Sequence, residues 1–149
     1  MTPYEQLDKF EIGLEMGLFS LEDLRKFLLK QIKGTKVPYI YTDVFLSLDK
    51  GQEEVINTIF YNLKDNYTAD RSAGSTVWCL LVGAIRNKWD LAQIDTAQCV
   101  DLLKKLNDYF ESDWSCLSIG EYYSLNQSGY CSDREFAGKL GAILLKGIM

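Results

Sequence analysis

The sequence predicts an all-α protein, a single-domain bundle of about seven helices around a buried central helix near Ser72–Lys88. The run Val77–Ile85 contains no charged side chain, and a helix that is apolar all round must be covered on every side. Arg86 follows too soon for a membrane span of about twenty apolar residues. Elsewhere apolar residues recur at helical spacing, and a chain of 149 residues can bury them in one core, so we expect one domain over residues 1–149.

Capping signals predict where the first two helices begin. Thr2 precedes a proline and lies three residues before Glu5, which makes a capping box with proline at the first helical position. Ser20 and Asp23 give a second cap, and Gly34 is expected to end that helix. Apolar residues at helical spacing follow each cap: Tyr4, Leu7, Phe10, Leu14 and Leu18 in the first helix, and Leu21, Leu24, Phe27, Leu28 and Ile32 in the second. We expect the two helices to form an antiparallel hairpin.

The segment 38–48 is compatible with two structures. Its isoleucine, valine and tyrosine residues suit a strand, whereas the apolar spacing from Tyr41 to Leu48 suits a helix that begins at Pro38. Because the chain offers no second strand to pair with it, we favour the helix. Asp49 is expected to cap the next helix, whose predicted inner stripe is Val55, Ile56, Ile59, Phe60 and Leu63.

The remaining helices are predicted in the same way. Asp95 or Thr96 should cap a helix that carries Cys99, Leu103, Leu106 and Phe110 on one face. A short helix over residues 113–125 and a loop at 126–129 are expected to follow. Ser132 and Glu135 form a third capping box before the last helix.

The composition excludes several classes of function. The chain has 16 basic and 21 acidic residues, a net charge of −5, so we expect no direct binding to nucleic acid, which needs clustered lysine and arginine. Histidine is absent, which removes Ser/His and Cys/His nucleophiles. Isolated glycines such as Gly74, Gly83 and Gly120 give no phosphate-binding loop. We therefore expect a protein that is not an enzyme, has no cofactor and does not enter a membrane.

The cysteines and the first residues indicate the compartment. Cys79, Cys99, Cys116 and Cys131 show no CxxC spacing and have no histidine to complete a zinc site, so we interpret them as reduced core cysteines. Residues 1–19 carry acidic side chains at regular intervals, unlike a secretory signal peptide. Both observations predict a cytoplasmic protein.

An acidic and aromatic surface is the first candidate site for a partner. Aromatic side chains bury a large area at small entropic cost, and carboxylates around them select a basic partner. The candidate residues are Asp108, Glu111, Asp113, Trp114, Glu121, Tyr122 and Tyr123. The alternative is that Trp114 and one of the tyrosines belong to the core while the acids face water.

A second candidate patch lies on the first helix. Asp8, Glu11 and Glu15 share one flank, while Ile12 and Met16 point away from the main apolar stripe. The two apolar residues are either buried between neighbouring helices or form an exposed contact. The carboxylates could in principle hold a metal ion, but without histidine ligands a solvated acidic face is the commoner explanation.

The stretch FEIGLEMGLFSLEDLRKFLLKQI, followed by PYIYTDVFLSL and a helix with an acidic cap, resembles small helical immunity proteins of bacterial toxin systems, including contact-dependent growth inhibition. The resemblance is one of pattern: a helix that ends in Gly-Leu-Phe, a capped second helix and a proline-led segment. It implies a small cytoplasmic protein that binds a cognate toxin domain, commonly a nuclease, and transfers no functional residue.

The leading hypothesis is therefore a toxin inhibitor whose surface near residues 108–123 covers a basic toxin domain. Two alternatives from other classes remain. One is a helical adaptor that uses the first helical hairpin. The other is a carboxylate enzyme that depends on a divalent metal ion, which would be stabilised against heat by that ion.

Overall fold

A computed structural model of the chain describes residues 2–34, 36–72, 74–110, 126–129, 132, 134–135 and 138–140. These residues form helices, turns and loops and contain no β-strand, which confirms the predicted all-α class. Contacts between Cα atoms divide the chain into two compact units, Met1–Asp70 and Arg71–Met149. We call them the N-terminal unit and the C-terminal unit.

The helices have the following bounds. The N-terminal unit contains α1 (Pro3–Glu15), α2 (Leu21–Ile32), α3 (Tyr39–Ser47), a 3-10 turn (Leu48–Lys50) and α4 (Gln52–Leu63). The C-terminal unit contains α5 (Thr76–Asp90) and α6 (Thr96–Tyr109). No helix within the described ranges combines the length and the apolarity that crossing a membrane requires.

Both predicted capping boxes of the N-terminal unit are formed. The Thr2 hydroxyl accepts from the Glu5 N–H at 3.2 Å, while the Glu5 carboxylate accepts from the Thr2 N–H at 2.9 Å. Ser20 and Asp23 make the same pair of bonds, at 3.2 and 2.9 Å. Each cap satisfies donors that a helix N-terminus leaves open, so the local sequence sets both helix starts.

The turn between α1 and α2 is a Schellman motif. Gly17 has φ +79°, and its N–H donates to the Leu14 carbonyl at 3.3 Å, while the Leu18 N–H donates to the Gly13 carbonyl at 2.8 Å. The Phe19 ring then packs directly on Gly13, where a Cβ atom would overlap the ring. Two glycines therefore fix this turn, one through its backbone angle and one through the space that it leaves. The two helices do not pack along each other as the predicted antiparallel hairpin would, because α1 packs on α4 and α2 packs on α3. They meet through the Phe10 and Phe27 rings, whose centres are 5.0 Å apart.

The segment 38–48 is mainly helical, as favoured above, and α3 begins at Tyr39. In the core of the N-terminal unit, α4 packs against both α1 and α3, and α2 packs against α3. The fully or nearly buried side chains of this core are Leu7, Phe10, Leu14, Leu24, Leu28, Tyr41, Val44, Leu48, Val55, Ile59 and Leu63. The helical periodicity predicts that these side chains are buried, but it does not predict which helices pack against each other.

Two predictions for α4 are wrong. Asp49 does not cap α4, because it lies in the 3-10 turn, and Gly51 with φ +96° occupies the cap position instead. The chain needs this positive φ to change direction after the turn, and glycine adopts it without strain. Phe60, expected in the core, is 52% exposed.

The helix expected at the centre of the bundle is α5. It begins at Thr76 rather than near Ser72, because the Ser75 hydroxyl accepts from the Trp78 N–H and caps the first turn. Its buried side chains are Val77, Trp78, Leu81, Val82 and Ile85. Cys79, Leu80, Gly83 and Ala84 are half-buried, so the helix is not covered equally on every side. Within the C-terminal unit α5 packs against α6.

Helix α6 begins at Thr96, where the predicted cap residue Asp95 places its start. Asp95 and Gln98 form a capping box with bonds of 2.8 and 2.9 Å, and Cys99, Leu103 and Leu106 are buried as expected. The predicted helix at 113–125 lies outside the described residues. After it, residues 126–127 are helical and only 128–129 form a turn, so the predicted loop is shorter than expected. The Gly129 N–H donates to the Asn126 carbonyl, and Ser132 accepts from the Glu135 N–H at 3.1 Å, as the third cap predicts.

Candidate partner-binding surfaces

The predicted acidic and aromatic surface falls mostly outside the described residues. Asp108 is exposed near the end of α6. The other six candidates are not described: Glu111, Asp113, Trp114, Glu121, Tyr122 and Tyr123. The grouping of these residues on one surface therefore stays a prediction.

The end of α6, which precedes the undescribed candidate residues in the sequence, is anchored in the C-terminal unit. Phe110, the last described residue before the gap, is 5% exposed and has extended backbone angles that end the helix. The Arg71 guanidinium carbon lies 5.5 Å from the centre of its ring, within cation–π range. The chain thus leaves α6 from a buried position, two residues after the exposed Asp108.

The second predicted patch, on α1, is largely enclosed. Asp8 is 1% exposed, and Ile12 and Met16 are buried, which decides between the two alternatives for these apolar residues in favour of burial. Glu11 is half-buried and Glu15 is exposed. A partner could therefore reach Glu15 and part of Glu11, but not the apolar members of the patch.

Asp8 forms a hydrogen bond with Tyr67, which lies near the end of the N-terminal unit in the sequence. The Tyr67 hydroxyl donates to Asp8 Oδ2 at 3.0 Å, and the Tyr67 ring stacks on the Tyr4 ring, with their centres 6.3 Å apart and their planes 12° apart. A buried polar group needs such a partner, because leaving it unmatched costs about 1–3 kcal/mol. We interpret Asp8 as the residue that holds the segment after α4 against α1.

A half-buried lysine lies among three aromatic rings at the junction of α1 and α2. The Lys9 ammonium nitrogen lies 4.4 Å from the ring centre of Phe10, 5.4 Å from that of Phe27 and 5.7 Å from that of Phe19. Burial lowers the pKa of Lys9 from its ordinary value, while the faces of the rings attract the cation. This cluster joins α1 and α2, and helix spacing alone does not predict it.

An exposed apolar surface that the sequence analysis missed lies on α3 and α4. It consists of Tyr39, Leu46, Phe60 and Tyr61, which are 77%, 69%, 52% and 64% exposed. We call it the α3–α4 outer surface. The Phe60 and Tyr61 rings meet edge to face with their centres 5.9 Å apart. Clustered exposed aromatics are typical of protein-binding sites, whereas single exposed apolar residues are not informative.

Polar groups hold the two helices together beneath this surface. The Asn62 amide on α4 donates to Asp43 Oδ2 on α3 at 2.7 Å and also to the Thr58 carbonyl at 2.8 Å. Asp43 lies between Tyr39 and Leu46 on the outward stripe of α3, and Tyr61 is the neighbour of Asn62. This hydrogen bond therefore ties the stripe of α3 that carries Tyr39 and Leu46 to α4 at the residue that follows Tyr61.

Carboxylates extend the surface towards the start of α4. Glu53 and Glu54 are exposed, and the Asp49 side chain is 93% exposed although it lies 3.7 Å from Arg25. At the other end of α4 the Lys64 ammonium lies 4.9 Å from the centre of the Tyr61 ring. The α3–α4 outer surface thus combines aromatic side chains, flanking acids and a ring face that already contacts a cation.

The described residues include no cluster of side chains suited to bind a metal ion and no cysteine with a lowered pKa. No group of three or more acidic or cysteine side chains is placed there to share a metal ion. Cys99 is a free, fully buried thiol, and burial, with a smaller contribution from the charge of Asp90, raises its pKa to about 12. Burial also raises the pKa of Cys79. A raised pKa disfavours the reactive thiolate, so burial makes both thiols weaker nucleophiles at neutral pH.

The chain matches no known family model, no curated protein and no solved structure. Its function must therefore be argued from its surfaces. Among the described residues, the α3–α4 outer surface is the place where several exposed aromatic side chains occur together with acids.

Proposed function

We propose that this chain is an immunity protein that binds a cognate toxin domain in the cytoplasm and neutralises it by covering a basic surface. The observation that carries the proposal is the exposure of large aromatic and aliphatic side chains beside carboxylates on a rigid helical scaffold. The net charge of −5 and the resemblance of the first third of the sequence to helical immunity proteins support it.

The physical argument rests on complementarity. A nuclease has to present lysine and arginine to the phosphates of its substrate, so carboxylates placed over those side chains compete with the substrate. Charge speeds the encounter and selects the partner, while aromatic side chains that become buried supply most of the affinity. Such an inhibitor needs no catalytic residue and no cofactor.

Growth rescue tests the proposal. The probe is the C-terminal domain of any large secreted protein that is encoded directly upstream, expressed in a bacterial host with and without this chain. We expect the domain to arrest growth and this chain to restore it, with a complex that weakens as salt concentration rises. An upstream domain that arrests growth in the presence of the chain as strongly as in its absence would refute the proposal.

A loss of binding by the triple variant Asp113→Ala, Trp114→Ala and Glu121→Ala would assign the contact to the predicted surface at 108–123. The helical content, measured by circular dichroism, should stay unchanged in this variant. Unchanged affinity would remove that surface from consideration and leave the α3–α4 outer surface as the candidate.

A further inference from the structure

We infer that the α3–α4 outer surface is a docking site for a basic protein segment, in which an arginine side chain stacks on Tyr61 and a second basic residue faces Glu53 and Glu54. The inference rests on the proposed function for the identity of the partner. The chemistry of the occupant follows from the residues of the surface itself.

The surface is built for contact along two helices. Tyr39 and Leu46 are seven residues apart on α3, which is two helical turns, so both project from the same side about 10 Å apart. The bond between Asp43 and Asn62 fixes this stripe beside Tyr61 on α4. The three apolar side chains therefore border one patch, and the contact between the Phe60 and Tyr61 rings extends it along α4.

The ring of Tyr61 already has a cation on its face. Lys64 lies 4.9 Å from the ring centre, one helical turn along α4, and the lysine is itself exposed. An incoming arginine can occupy such a face better than lysine can, because its planar guanidinium stacks on the ring and is less strongly hydrated. An acidic partner would gain nothing from this ring face.

The charges around the patch also select a basic occupant. Glu53 and Glu54 lie at the beginning of α4, Asp49 lies in the preceding 3-10 turn, and Asp65 lies just beyond the end of α4. Lys50 and Lys64 supply the opposite charge, and Arg25 pairs with Asp49 at 3.7 Å. The acids outnumber the bases in residues 49–65, so an acidic segment would be repelled.

The spacing predicts the pattern of the partner. Glu53 and Tyr61 are eight residues apart on α4, which corresponds to about 12 Å along the helix axis. An extended segment covers this distance with about four residues, whereas a helix needs about eight. We therefore expect basic residues in the partner at one of these two spacings, with an apolar side chain between them over Leu46.

Mapping with a defined peptide tests the site without knowledge of the natural partner. The probe is a synthetic peptide in which arginine recurs every fourth residue between glycine and leucine, titrated into the full-length ¹⁵N-labelled chain. We expect amide shifts centred on α3 and α4, and affinity about tenfold lower in the double variant Leu46→Ala, Tyr61→Ala, the loss typical of a truncated hot spot. Leu91→Ala is the matched control, since Leu91 is 60% exposed in the turn after α5.

Shifts that spread evenly over all acidic residues, or that centre outside α3 and α4, would overturn the inference, as would equal affinities of the double variant and the control. Because all three substituted side chains are exposed, each variant should keep the wild-type circular dichroism spectrum. The double variant Glu53→Gln, Glu54→Gln should bind with a smaller salt dependence than the wild-type chain.

The growth assay separates this inference from the proposed function. If the wild-type chain rescues growth and the Leu46→Ala, Tyr61→Ala variant does not, while Leu91→Ala does, both are supported. Full rescue by the double variant overturns the docking site and leaves the inhibitor function standing. If the wild-type chain fails to rescue, the inhibitor function is refuted, and the peptide mapping alone decides the docking site.

Discussion

Replacing Gly13 with alanine is expected to destabilise the N-terminal unit, although alanine is the better helix former. The new Cβ would overlap the Phe19 ring, whose own place is fixed by Phe10, with the ring centres 5.0 Å apart. Overpacking of this kind costs about 1–3 kcal/mol, and the gain in helix propensity returns about 1 kcal/mol. We expect a net loss of about 1 kcal/mol in the free energy of unfolding, or about 2–4 °C in melting temperature.

Urea denaturation followed by circular dichroism measures this loss, and Gly83→Ala in α5 is the matched control. No atom of the described residues lies within 4 Å of a Cβ at Gly83, so alanine should stabilise that helix by about 0.5–1 kcal/mol. The double variant Gly13→Ala, Phe19→Ala lacks the overlapping ring. Its loss in the free energy of unfolding should therefore be smaller than the sum of the losses of the two single variants. A Gly13→Ala variant as stable as the wild-type chain would refute the argument, since the overlap with the ring would then cost no more than the gain in helix propensity.

Three further predictions concern the hydrogen bond to Asp8, the buried thiol and metal ions. Tyr67→Phe should lower the free energy of unfolding by about 1 kcal/mol in urea denaturation, because the Asp8 carboxyl loses its hydroxyl donor; a change near zero would show that another group replaces it. With a pKa of 9.0 when unfolded and about 12 when folded, the Cys99 thiol loses its proton first in the unfolded chain. Stability should therefore fall as pH rises from 9 towards 12, and less so in Cys99→Val; identical pH profiles would contradict this. Magnesium, manganese and calcium should leave the melting temperature unchanged, and a rise that saturates with metal concentration would favour the alternative of a metal-dependent enzyme.

Local features of the fold were predictable from the sequence. The capping boxes at Thr2 and Ser20 were recognisable because their side-chain bonds span only three residues, and Asp95 was one of two candidates for the cap of α6. The helix at 38–48 could be chosen because a strand has no stability without a partner strand. The caps depend on a few neighbouring residues, whereas the choice of a helix at 38–48 depends on the lack of a second strand candidate in the sequence.

Features that depend on the arrangement of helices were not predictable. Phe60 follows Ile59 at the edge of the apolar stripe, and only the position of the neighbouring helices decides which of the two is buried. The stripe from Tyr41 to Leu48 leaves Tyr39 and Leu46 on the outward side of α3, a signal that could have revealed the outer surface. The cluster around Lys9 depends on the turn that brings Phe19 and Phe27 back to α1.

The bond between Tyr67 and Asp8 has a consequence for how the N-terminal unit opens. This bond and the stacking of Tyr67 on Tyr4 connect α1 to the segment after α4, and the two bonded residues are 59 positions apart in the sequence. Fraying at α1 must release the segment after α4, and fraying of that segment must expose the Asp8 carboxyl to water. We therefore expect α1 and the segment after α4 to open together. The amide exchange rates near residue 8 and near residue 67 should change in the same direction when conditions change.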